Sequence, residues 1–283
     1  MLDGEALMAI KQFILTGDCH GRVDERLGNI QRNMNIENPS DIAVIILGDA
    51  GLNFYLNGTD IRKKKIISNY GFRIYCVRGN HEERPENLKY ELAWDDDVMG
   101  EVYYDPINPE IRYFQDGEVY NIEGHRTLVI GGAYSVDKYY RLERAKLGEL
   151  YNVPQKSGWF ADEQLSDLEM LAITYHHYGQ EFDLILTHTC PICWEPSDLF
   201  LGFVDQSTVD KSMELFLDEV CHETKWKVWC FGHYHADRLE RPGVEQFYYR
   251  YEWLNNVWER WNNENNEYEL SLLNKSPNFN MEW

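Results

Sequence analysis

Four short stretches of this chain carry histidine, three of them together with aspartate, asparagine or glycine: Gly17-Asp18-Cys19-His20-Gly21, Gly79-Asn80-His81-Glu82, Thr187-His188-Thr189-Cys190-Pro191 and Gly232-His233-Tyr234-His235. Gly48-Asp49-Ala50 stands between the first two, and five of the nine histidines fall in these stretches. Carboxylate, amide oxygen and imidazole suit Mn, Fe, Zn, Co or Ni as divalent or trivalent ions, while the imidazole content disfavours Mg or Ca alone. The chemistry such a set could support is cleavage of a phosphate ester. That reaction needs charge neutralised, hydroxide made available near neutral pH, and the leaving oxygen stabilised, and two metal ions about 4 Å apart can supply all three. Ions that close need a shared anionic ligand, for which Asp49 is central in the set. Asp18 and His20, on one turn, could cap the first ion, and Asn80 and His188 the second. His233 and His235, two apart on an extended loop, could reach different ions.

Strands and helices must position these residues. Gln12 to Thr16, Ile42 to Leu47 and Phe72 to Val77 are short apolar runs ending at Gly17-Asp18, Gly48-Asp49 and Gly79-Asn80. The intervals Asp18 to Asp49 and Asp49 to Asn80 are both thirty-one residues, the length of a strand-helix-strand unit, with Arg22 to Met34 and Thr59 to Tyr70 as crossover helices. The three ligand positions therefore fall at carboxyl ends of neighbouring strands, where open α/β sheets place their sites. Arg126 to Ile130 runs into Gly131-Gly132-Ala133; Asp183 to Leu186 leads to His188, and Lys225 to Phe231 to Gly232-His233. Asp162 to His176 reads as a helix with Leu165, Leu168, Leu171 and Ala172 on its apolar face, and Met213 to Val220 as another. Val244 to Trp258 is aromatic-rich and reads as one or two strands; Asn262 to Trp283 is polar with weak periodicity.

At 283 residues and 43% hydrophobic, the chain can bury one large core. It reads as a single domain over 1–283 with insertions near 92–123 and 134–160 and an aromatic, Asn-rich extension from about 241. Its net charge of −21 makes long nucleic acid an unfavourable partner. The balance is uneven: acids dominate Trp94 to Glu123, whereas Lys138, Arg141, Arg144, Lys146 and Lys156 follow Asp137. Both stretches read first as solvated surface, and the basic one alternatively as a lid over an anionic substrate. No apolar run is long enough to span a membrane, the first residues lack the basic start of a secretory signal, and six cysteines are sparse for a disulfide framework. The expectation is a soluble, cytoplasmic protein with free thiols and a structural or incidental Cys190-Pro191-Ile192-Cys193.

Taken in order, Gly17-Asp18-Cys19-His20, Gly48-Asp49, Gly79-Asn80-His81, His188 and Gly232-His233-Tyr234-His235 resemble the GDxH, GD, GNH, H and GHxH series of the calcineurin-like metallophosphoesterase superfamily. The resemblance covers residues 17 to 235. It implies an α/β (α+β) fold, a four-layer α/β/β/α sandwich with two mixed sheets. It further implies one metal held by Asp18, His20, Asp49 and His235, and another by Asp49, Asn80, His188 and His233. His81 corresponds to the family's non-ligand histidine, which contacts phosphate and can protonate the leaving oxygen, a task suited to a pKa near 6.5. In-line attack by a metal-bridging hydroxide is implied, with Asn80, His81 and Arg84 against the substrate. Arg84 enters because Arg78-Gly79-Asn80-His81-Glu82-Glu83-Arg84 resembles the RGNHExR block of serine/threonine protein phosphatases, and guanidinium is a planar fork for phosphate. Gly48-Asp49-Ala50-Gly51-Leu52-Asn53 lacks the arginine those phosphatases carry next, which argues against protein-phosphatase activity.

The leading expectation is hydrolysis of a phosphate monoester or diester of a small molecule or nucleotide. A nuclease using the basic stretch, a protein phosphatase, and a non-catalytic protein-binding scaffold are the alternatives.

Overall fold

Ile42–Ile46 contains only apolar residues and all five are buried, so this strand must be covered on both faces. The computed structural model, which describes residues 10–151, 157–202 and 204–273, shows how. The readings made on residues 1–9, on Lys156 and on 274–283 lie outside the described residues.

The elements begin with β1 (Gln12–Thr16), α1 (Val23–Asn33), β2 (Ile42–Ile46), α2 (Gly58–Ile67) and β3 (Arg73–Cys76). β4 (Glu91–Asp95), β5 (Gly100–Tyr104), β6 (Ile111–Tyr113), β7 (Glu118–Ile122) and β8 (His125–Ile130) follow, then α3 (Lys138–Leu150) and α4 (Asp167–His177). The remainder is β9 (Glu181–Thr187), α5 (Ser212–Glu223), β10 (Lys225–Phe231), β11 (Arg238–Arg241), β12 (Val244–Gln246), β13 (Tyr251–Trp253) and α6 (Leu254–Leu273).

Two mixed sheets result, a seven-stranded one in the order β13-β1-β2-β3-β6-β5-β4 and a six-stranded one in the order β11-β12-β10-β9-β8-β7. The central trios β1-β2-β3 and β10-β9-β8 are parallel, so six strand ends open on the same side of their sheets. Side-chain alternation divides the core. Phe13, Leu15, Ala43, Ile45 and Tyr75 meet Val129, Leu184, Leu186 and Val228 between the sheets. Ile14, Val44, Ile46 and Ile74 face outward onto Val23, Leu27 and Ile30 of α1. Leu128, Ile130, Ile185 and Trp229 face the other way onto Met170 and Ile173 of α4 and Phe216, Leu217 and Val220 of α5. The layers are therefore α/β/β/α, and each fully buried Ile, Leu or Phe stabilises them by about 1.5–3 kcal/mol.

Three local readings change. The expected helix from Asp162 begins at Asp167, because Ser166 and Glu169 form a capping box there. Its buried face is Met170, Ile173 and His177, while Leu168 and Leu171 are exposed, since apolar residues lie all round this helix and the phase set by the sheet decides between them. The aromatic stretch from Val244 yields β12 and β13 but turns helical at Leu254, where Leu254, Val257, Trp258 and Trp261 have helical spacing and pack on the inter-sheet core. The helix runs on through the Asn-rich segment to Leu273.

The acidic stretch is not simply solvated surface. Asp95 is buried against Arg112, Asp105 is buried 2.6 Å from Lys64 Nζ, and Asp116 lies 2.6 Å from Arg78 Nε. Among the described residues no helix is long and apolar enough to cross a membrane.

Candidate metal centre

The carboxyl ends of the six parallel strands supply the site. β1 runs into Asp18 and His20, β2 into Asp49, β3 into Asn80 and His81, β9 into His188, and β10 into His233 and His235. β8 runs into Ser135, which sequence reasoning passed over.

Turning so sharply at a strand end has a conformational cost. His20, Asp49, His233 and His235 all have left-handed φ values, 46°, 47°, 69° and 53°. Each such non-glycine residue costs on the order of 1–3 kcal/mol, and such strain gathers at functional sites. Gly48 is also left-handed, and a side chain there would overlap the His188 ring.

Five of the seven expected ligands fall into two groups of three that share Asp18 and whose candidate ligand atoms all lie within 4.8 Å of one another: Asp18, His20 and His235, and Asp18, Asp49 and His188. Asp49 reaches toward both. Its Oδ2 is 3.7 Å from His20 Nδ1 and its Oδ1 is 3.7 Å from His188 Nε2, while Oδ1 also accepts from the His81 backbone N–H at 2.9 Å. In the first group His20 Nε2 and His235 Nε2 are 2.8 Å apart, and Asp18 Oδ2 is 3.3 Å from His235 Nε2. His233 stands beside the second group, its ring 5.0 Å from that of His188 and its N–H donating to Asp18 Oδ1 at 3.0 Å.

Hydrogen bonding tests whether this set fits a cation. His188 Nδ1 lies 2.8 Å from the Leu47 carbonyl, which can only accept, so Nδ1 carries a proton, and whenever the ring is neutral Nε2 presents a lone pair. That lone pair faces Asn80 Oδ1 at 2.9 Å. The Asn80 amide is fixed in this sense because its Nδ2 donates to Ser135 Oγ at 2.8 Å and that hydroxyl donates to Glu163 Oε2. Two acceptors turned toward each other suit a shared cation, and partners that fix ligand tautomers are the usual outer shell of a metal site. Asp18 Oδ2 is buried without a hydrogen bond among the described residues. Burial pushes the Cys19 thiol up to about 12, so no thiolate joins the set.

Charge follows the same pattern. Burial alone would raise the Asp49 pKa, but His81, His188 and His20 outweigh it and hold the carboxylate below its ordinary range. Asp18 is likewise lowered by His235 and His188 against the opposing effect of burial. Burial, reinforced by His188, takes His233 down to about 3.

His81 faces the same centre, its Nε2 3.9 Å from Asp49 Oδ2 and 3.3 Å from Asn80 Nδ2, and burial lowers its pKa more than Asp49 raises it. Glu82, the next residue, accepts from Gly79 N–H at 3.2 Å and ties the loop back on itself. Arg84 is not brought to the centre. Its guanidinium binds the Asp162 and Gln164 carbonyls and Glu169 Oε1 at 3.0, 2.8 and 2.7 Å, and it lines a separate cavity with Asp116, Glu169 and His177. Those acceptors occupy the fork expected to hold phosphate.

A cavity of about 700 Å³ opens onto His20, Asp49, Asn80, His81, His233 and His235. Val136, Leu199, Phe200, Leu201, Val204 and Val209 give it an apolar wall, and Arg141, from the basic stretch, also lines it. Tyr248 stacks on His235, rings 4.6 Å apart and inclined 18°. Nothing in the sequence around Tyr248 signals this, whereas Ser135 could have been sought just beyond the Gly131-Gly132 strand end.

Residues 11–237 match the calcineurin-like phosphoesterase family model. No curated protein matches the chain. Among solved structures, phosphopantetheinyl hydrolase from Mycobacterium tuberculosis is 13% identical, with 89% of this chain and 93% of that one covered and a TM-score of 0.42. A second, the protein TT1561 of Thermus thermophilus, is 12% identical, with 89% and 96% covered and a TM-score of 0.40. Neither likeness is strong enough to transfer a residue's role. The family match across most of the chain, together with a strand-end cluster whose opposed lone pairs suit cations, places this protein in the calcineurin-like phosphoesterase family as a metal-dependent phosphoesterase.

Proposed function

We propose that the enzyme hydrolyses a phosphate monoester or diester of a small organic molecule, with two metal ions in the cluster. The cavity supports this reading most: its apolar wall adjoins the His20, Asp49 and His81 cluster and suits a compact organic group better than an extended polyanion. Asp18, His20, Asp49 and His235 would hold one ion, and Asp49, Asn80, His188 and His233 the other. Bound there, the ions would neutralise phosphoryl charge and make hydroxide available near neutral pH.

The protein's own groups do the rest. Leu47 and Ser135 orient His188 and Asn80, so two donors to the metals are aimed before any ligand arrives. His81 hydrogen-bonds the phosphoryl group and passes a proton to the leaving oxygen. A phosphate dianion beside it would raise its pKa, opposing the effect of burial.

The test is turnover by Mn-loaded protein of p-nitrophenyl phosphate, bis(p-nitrophenyl) phosphate and a long DNA duplex. Hydrolysis of either small ester, abolished by chelation and restored by Mn, is expected. Inertness toward all three would overturn the reading, and DNA cleavage alone would assign a nuclease instead.

A further inference from the structure

A second, smaller cavity of about 130 Å³ adjoins the first and shares His20, His81 and Arg141 with it. Its other lining residues are Gly51, Phe54, Tyr55 and Lys63. In a chain of net charge −21, this cleft has a lysine and an arginine and no carboxylate among its described lining residues.

Each cation is held in place with donors to spare. Lys63, on α2, donates to the Gly51 carbonyl at 3.1 Å and sits 4.9 Å from the Tyr55 ring centre; its nearest paired carboxylate oxygen, on Asp60, is 3.9 Å away. Gly21 carries no side chain where this ammonium comes to rest, so Lys63 lies against the loop that bears His20. Arg141, on α3, spends Nε on Asp137 at 2.7 Å and Nη1 on the Gly158 carbonyl at 2.8 Å, with its guanidinium over Phe54. That leaves donors of the guanidinium fork without a partner among the described residues. Both side chains are only about one-fifth exposed, at 23% and 20%. Arg73, Arg78, Arg84 and Arg112 are also engaged by carboxylates, but none of them lines this cleft.

We propose that this cleft is a second anion subsite, in which Lys63 and Arg141 bind a phosphate or carboxylate group that the substrate carries in addition to the phosphoryl group being cleaved. The inference rests on the phosphoesterase reading above and narrows it to organic phosphates with two anionic groups. The phosphoryl group would lie at the His20 and His81 junction, the organic part in the larger cavity, and the second anion between Lys63 and Arg141. Charge-assisted hydrogen bonds from an ammonium and a planar guanidinium in a half-buried cleft are well suited to holding it.

The experiment compares adenosine 5′-monophosphate with adenosine 2′,5′- and 3′,5′-bisphosphate on the Mn-loaded enzyme. Cleavage of the same 5′ ester is followed in each. At least one bisphosphate is expected to exceed the monophosphate in kcat/KM by about tenfold or more, mainly through KM. Lys63→Met and Arg141→Gln should each bring that ratio back toward one. Equal kcat/KM for all three compounds in the unaltered enzyme would overturn the proposal. So would variants that lower all three by the same factor, which would make the cations aids to the reacting phosphoryl group or to folding. If Lys63→Met does not fold, Arg141→Gln, on a helix with no buried residue, decides the matter. If no compound is turned over, the phosphoesterase reading is still decided separately by the p-nitrophenyl esters, and calorimetric binding of the bisphosphates against the monophosphate judges the subsite by the same ratio.

Discussion

Asn80 Oδ1 and His188 Nε2 face each other at 2.9 Å with their lone pairs opposed. The Nδ1 proton of His188 is committed to Leu47 and the amide nitrogen of Asn80 donates to Ser135, so while the imidazole is neutral neither residue can relieve the opposition by turning. Ser135→Ala removes the group that fixes the amide and lets it turn. Metal affinity should drop by about 10–100-fold, as for other partners of metal ligands, with little change in melting temperature of the metal-free protein. Titration with Mn, followed by calorimetry, measures this; unaltered affinity would show that the amide is oriented some other way.

Gly48 answers for the other side of His188. Alanine there must adopt φ near 92° and set its Cβ into the imidazole. The backbone alone should cost about 1–3 kcal/mol, and displacement of the ring should cost metal binding as well. Urea unfolding gives the first quantity and bound-metal analysis the second. A Gly48→Ala protein with full stability and a full metal complement would contradict the observed packing.

His81 touches Asp49 through its backbone N–H, which alanine retains. His81→Ala should therefore keep its metals while turnover of an alkyl phosphate, whose leaving oxygen needs the proton that p-nitrophenolate does not, falls by about 10²–10⁴-fold, the usual range for a positioned acid. Metal content and kcat measured on the same preparation separate the two effects. Undiminished kcat would remove His81 from the chemistry.

Arg84 and Glu169 make a structural prediction instead. Arg84→Ala should leave KM for p-nitrophenyl phosphate within about twofold while lowering stability, whereas a tenfold rise would return the arginine to the substrate. Glu169 is lowered to about 2 from 4.5: burial works against the shift, and the Ser166 N–H and hydroxyl and the Arg84 guanidinium bring it about. A depressed folded pKa means the stabilisation is present in full above the ordinary value and is lost as pH falls through 4.5 toward about 2. The stability gap between wild type and Glu169→Gln should accordingly be widest near neutrality and shrink below pH 4.5. A gap that stays constant down to about pH 3 would rule out this linkage.

Much of the centre is legible in the sequence because strand ends announce themselves locally: an apolar run, a glycine, then Asp18, Asp49, Asn80 or His233. The even thirty-one-residue spacing and the order of the blocks also indicate which loops are neighbours. Aromatic composition at Val244 to Trp258 misdirects, since strand propensity masks the helical spacing of Leu254, Val257, Trp258 and Trp261. α4 misdirects too, because Leu168 and Leu171 are as apolar as the residues the sheet covers.

Residue types and their order along the chain determined which groups could hold metal, since carboxylate, amide and imidazole chemistry belongs to each residue wherever it lies. Only the tertiary structure decided that Arg84 is consumed by Asp162, Gln164 and Glu169, that Ser135 orients Asn80, and that Lys63 and Arg141 share one cleft. Those outcomes depend on which hydrogen-bond partners arrive from 55 to 85 positions away, or from a different helix, and local pattern carries no record of such meetings.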